Sequence, residues 1–169
     1  MDIFEFAMKM ELDGNKYYES KAAITKEKNL KEILLTLAEE EMNHFNFFKK
    51  MKNGKTDTSL KEFNSSTQTL NKIKNIFVEM SQDDENKNVG ESDIEIWKEA
   101  LKIEEKAESF YREKAEAETD TQKKKLLILI AEEEQRHVHM VENVLYYLKF
   151  PESFAESAQF NNFQSLEGR

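Results

Sequence analysis

The chain has 169 residues, a formal charge of −9, 38% hydrophobic and 35% charged residues, four Gly, one Pro and no Cys. Such a composition suits one domain with one core under a heavily solvated surface, and the lack of cysteine excludes disulfides, a thiolate nucleophile, a cysteine zinc site and a protein-held iron–sulfur centre. Scarce Gly and Pro exclude turn-dense β folds, and the acidic balance excludes nucleic acid as a partner, because phosphate binding needs clustered Lys and Arg.

Four helices follow from apolar periodicity. The first runs from about Ile3 to Lys26, with Asp2 and Glu5 offering a capping box. A turn at Glu27-Lys28-Asn29 leads to the second, about Leu30 to Met51, which stops before the helix-ending pair Asn53-Gly54. The third starts at Ser92, with Glu95 completing another box, and runs to about Ala117. After a turn at Thr119-Asp120-Thr121 the fourth runs from about Gln122 to Phe150 and ends at Pro151.

Each pair of helices is thus expected to form an antiparallel hairpin, and residues 52–91 form a connection long enough to cross the length of a bundle. Within it Leu70, Ile73, Ile76, Phe77 and Met80 make a helical stripe, so a short extra helix is expected. The fold class is all-α, a four-helix bundle over residues 1–150, with a tail at 151–169 whose Phe154, Phe160 and Phe163 are free to dock. Lys123-Lys124-Lys125 reads as a solvated helix face, and Asp83-Asp84-Glu85 lacks a calcium-loop pattern. The acidic start, Met1-Asp2-Ile3-Phe4-Glu5, lacks the positive charge of a signal peptide, and the longest apolar run, Leu126 to Ala131, is too short to span a bilayer. A cytoplasmic location with no membrane partner is expected.

The two hairpins repeat one another at an offset of 93 positions. This shift carries Glu11 onto Glu104, Glu41 onto Glu134 and His44 onto His137, and also Ala7 onto Ala100, Tyr18 onto Tyr111 and Leu34 onto Leu127. Glu11 and Glu41 each lie about fifteen residues from the first turn, roughly 22 Å along a helix, so they meet at one height. Glu104 and Glu134 do the same around the second turn. Glu and His three apart share a helix face, which places all six groups at one level.

All four carboxylates fall on apolar faces, with Leu37, Ala38 and Phe48 around Glu41 and Ile130, Ala131 and Val141 around Glu134. Unpaired charge is very costly there, and no basic residue shares those positions. Two divalent cations would neutralise four carboxylates and leave two neutral imidazoles as nitrogen ligands. The candidate metal ligands are therefore Glu11, Glu41, His44, Glu104, Glu134 and His137. Ala7, Gly14, Ala100 and Ala107 leave space for the ions. Tyr18 and Tyr111 are candidates to hydrogen-bond a ligating carboxylate. Glu39, Glu40, Glu132 and Glu133 are assigned to the solvated side, and His139 to the surface.

The stretches Phe6-Ala7-Met8-Lys9-Met10-Glu11 and Leu37-Ala38-Glu39-Glu40-Glu41-Met42-Asn43-His44, with their counterparts at 100–111 and 130–137, give the chain a specific pattern. It resembles the rubrerythrin branch of the ferritin-like di-iron carboxylate superfamily over residues 1 to about 150. The resemblance implies two iron ions, with manganese or zinc also suited to the donors. It further implies that Glu41 and Glu134 bridge the ions, that Glu11 and Glu104 are terminal ligands, and that each ion holds one histidine. An oxidoreductase consuming hydrogen peroxide or dioxygen is the expected function, as a homodimer.

Iron binding or storage without turnover, and a structural bundle with an inert metal site, are the alternatives. The chain departs from rubrerythrin proper in two ways. Without cysteine it cannot hold a rubredoxin-type iron, so the expected electron donor is an external protein such as a rubredoxin. Where rubrerythrin has an extra glutamate one turn after the third helix's ligand, this chain has Ala107, matched by Gly14 in the first repeat. A nearly symmetric pair of half-sites is expected.

Overall fold

The structure is a computed structural model that describes residues 2–54, 64–82 and 89–151, without the side chains of 64–68, 70, 81 and 82. Among the described residues there are five helices and no strand: α1 (Ile3–Ile24), α2 (Lys28–Lys52), α3 (Asn64–Gln82), α4 (Glu91–Ala117) and α5 (Thr121–Lys149). The expected extra helix is α3, which buries Ile73, Ile76, Phe77 and Met80 along one face. The tail after residue 151, the segments 55–63 and 83–88, and the Leu70 side chain lie outside the described residues. No described helix is long and apolar enough to cross a membrane.

The chain divides into two compact units, Met1–Phe77 and Val78–Arg169. In the first, α1 and α2 run antiparallel. Lys52 pairs with Glu5 at one end, Nδ1 of His44 lies 3.4 Å from Oε2 of Glu11 midway, and the Asn15 amide donates to the Ala38 carbonyl at 2.8 Å further along. As one helix advances the other retreats. The Lys52 ammonium beside Glu5 holds the Glu5 carboxyl below its usual value. Ala7, Tyr18, Leu30, Ile33, Leu34, Leu37 and Phe48 are almost fully enclosed, which is the apolar stripe the sequence pattern predicts.

In the second unit α4 and α5 pack together across a three-residue turn. Trp97, Ala100, Tyr111, Leu127, Ile130, Ala131, Val141 and Val144 supply the interior. Lys123, Lys124 and Lys125 are exposed, as expected.

The helix ends differ from expectation in an instructive way. α2 begins at Lys28 because the Glu27 carboxylate accepts from the amides of Asn29 and Leu30 at 3.0 and 2.6 Å. α5 begins at Thr121 because Asp120 accepts from Gln122 and Lys123 at 2.9 and 3.1 Å. Both satisfy amides that have no partner inside the first turn. α4 starts at Glu91 rather than Ser92; the Asp93 carboxylate accepts from the Gly90 amide at 3.2 Å, and Glu95 instead pairs with Lys98 at 3.3 Å. Asp2 precedes α1 without a side-chain cap. At the other end of α2, Gly54 takes φ 77°, the left-handed conformation that glycine tolerates after a helix.

Candidate metal centre

The six predicted ligands are all buried, at 0 to 3% exposure. Each hairpin gathers its own three. In the first unit one ligand atom from each of Glu11, Glu41 and His44 lies within 4.8 Å of the others, and in the second the same holds for Glu104, Glu134 and His137. His137 Nδ1 is 3.4 Å from Oε2 of Glu104, on α4, and 3.3 Å from Oε2 of Glu134, on its own helix. Helical period explains the convergence: residues three apart on α2 or α5 share the face turned to the partner helix.

The chemistry of this donor set fits a divalent cation in each unit. Like charges this close in a water-poor interior repel by several kcal/mol unless a cation lies among them. Among the described residues no lysine or arginine is buried. Carboxylate oxygens with one imidazole nitrogen suit iron, manganese or zinc. Histidine must be neutral to ligate, which keeps the balance at two negative charges per divalent ion.

The surroundings are closely matched between repeats. Tyr18 and Tyr111 are fully enclosed, each set edge-on to the preceding ring, Tyr17 at 5.6 Å and Phe110 at 5.4 Å. Lys21 lies over Tyr17 and Lys114 over Phe110, both at 5.5 Å. His139 stands 3.3 Å from Glu142 on a part-exposed face, as expected of a surface histidine.

Three features escaped the sequence reading. Glu40 and Glu133, assigned to the solvated side, are each only 4% exposed. Glu40 accepts from the Thr69 hydroxyl of α3 at 2.6 Å, whereas Glu133 pairs with Arg136 one turn along α5. Arg136, three residues after Glu133, was the available signal for the second pair; Thr69 lies 29 positions from Glu40, and no local pattern could have linked them. Thirdly, Gly14 and Ala107 are not equivalent. A Cβ built on Gly14 would lie 2.5 Å from Oε2 of Glu41, so the first repeat uses the missing side chain.

Compared with known protein families, residues 2–145 match the family described as Rubrerythrin. No curated protein and no solved structure matches the chain.

Proposed function

The chain belongs to the rubrerythrin family, within the ferritin-like di-iron superfamily, and from that premise we propose an oxidoreductase that reduces hydrogen peroxide or dioxygen. The observation that carries this reading is the pair of buried Glu, Glu and His sets, one in each repeat. Glu11, Glu41 and His44 with Glu104, Glu134 and His137 would hold two iron ions, Glu41 and Glu134 serving both by the family resemblance. When bound, the metals supply electrons and Lewis acidity.

The chain's own residues do the rest. Four carboxylates set the charge of the centre and favour a cation over water in a site that side chains otherwise close. The enclosing Ile130, Ala131, Leu37 and Ala38 exclude bulk water, which strengthens every electrostatic interaction inside. Ala7 and Ala100, both fully enclosed, keep the ligand-bearing faces of α1 and α4 free of bulk, so a substrate as small as peroxide has room. Tyr18 and Tyr111 orient ligating carboxylates through their hydroxyls. Electrons come from an external donor protein such as a rubredoxin, and the protein acts as a cytoplasmic homodimer.

Anaerobically prepared protein, loaded with ferrous iron and mixed rapidly with peroxide or dioxygen, tests the proposal. Oxidation of the loaded centre by either oxidant, repeated after re-reduction, is expected. Binding of about two irons per chain without repeated turnover would favour storage, and inert bound metal would favour a structural role.

A further inference from the structure

We propose that Gly14 is a positioning residue for Glu41: its missing side chain lets the Glu41 carboxylate lie against the backbone of α1, a placement that Ala107 denies to Glu134. The two hairpins therefore hold their paired glutamates in different poses.

The geometry is direct. A Cβ on Gly14 would meet Oε2, Cδ and Cγ of Glu41 at 2.5, 3.2 and 3.4 Å. The first distance is closer than packed side chains allow, so a methyl group there requires the carboxylate to move. Gly14 has no conformational reason to be glycine. It sits inside a helix, where glycine is less favourable than alanine, and the positive-φ glycine among the described residues is Gly54.

Nor can α1 simply back away. The next residue, Asn15, is 6% exposed and donates to the carbonyl of Ala38, three residues before Glu41, at 2.8 Å. That buried bond holds the two helices at a set separation beside the carboxylate. In the second repeat neither element is present. Ala107 occupies the Gly14 position, Glu108 occupies that of Asn15, and Glu108 accepts from Arg112 of its own helix at 2.9 Å. There the Glu134 carboxylate has its Oε2 3.3 Å from His137 Nδ1.

Two measurements test this, and only the first rests on the metal-site reading. Cobalt(II) ions titrated into the metal-free protein, followed by visible absorption, should bind Gly14→Ala about tenfold or more weakly than the parent, the size typical of losing a group that orients a ligand. Ala107→Gly should bind within about threefold of the parent, because the Glu134 carboxylate is already placed with the Ala107 methyl group present.

The second measurement is a urea-unfolding cycle on the metal-free protein with Gly14→Ala, Glu41→Ala and the double variant. Gly14→Ala should shift the midpoint upward more in the Glu41→Ala background than in the parent, since alanine favours helix once the carboxylate is gone. An equal shift in both backgrounds would overturn the proposal, as would unweakened cobalt binding by Gly14→Ala. A parent protein that takes up no cobalt would sink the metal-site reading, while the unfolding cycle would still decide the role of Gly14.

Discussion

The α1–α2 and α4–α5 hairpins each carry the same three donors, 93 positions apart, yet their surroundings differ. Their ends and aromatic girdles match: Glu27 and Asp120 cap the second helix of each pair in the same manner, and Tyr17-Tyr18 and Phe110-Tyr111 stack alike under a lysine. Their interiors diverge one residue before Glu41 and Glu134. Glu40 is satisfied by a hydroxyl from α3, Glu133 by the guanidinium of Arg136. A repeat can thus keep its candidate ligands while changing the partner of the buried glutamate beside them, because that glutamate needs only a donor within reach.

The largest expected effect tests the part the hairpins share. Glu41→Ala and Glu134→Ala should each lose both irons on gel filtration, leaving well under half of the roughly two per chain in the parent, whereas Glu11→Ala should retain more. Elemental analysis decides it. Equal losses in all three variants would remove the distinction between shared and terminal carboxylates.

Acid should act on both hairpins together. Imidazole must be neutral to ligate, and free histidine takes up its proton below about pH 6.5. Metal affinity should accordingly fall as pH is lowered from 7.5 to 5, in competition titrations against a chelator. A flat profile would remove His44 and His137 from the ligand set.

The supports should separate the hairpins. Arg136→Met removes the guanidinium beside the buried Glu133 carboxylate and should cost about 3 kcal/mol in urea unfolding of the metal-free protein. Thr69→Val removes one hydrogen bond to Glu40 and should cost about 1 to 2 kcal/mol. The reverse order would mean that α3 carries more of the first unit's stability than Arg136 does of the second's.

The smallest effect tests likeness again. Glu27→Ala and Asp120→Ala should each cost about 1 kcal/mol, the worth of a helix N-cap. Thermal melts that differ strongly between them would show that the two turns are matched in geometry but not in energy.

The sequence by itself determined the helical class, the offset repeat and the burial of Glu11, Glu41, His44, Glu104, Glu134 and His137, and it carried the resemblance by which the chain belongs to its family. These rest on local period and on residues at constant spacing, which are one-dimensional properties. Helix boundaries were legible to within a residue or two, missing mainly the Glu27 and Asp93 caps, because several acids near a helix start compete for the same amides. Only the tertiary structure decided that Glu40 is buried, since its partner lies on a helix remote in sequence. Only it could show that Gly14 and Ala107 differ in consequence as well as in size. A missing methyl group matters when another helix brings an atom to the place it would fill, and Asn15, by bonding to Ala38, brings α2 that close.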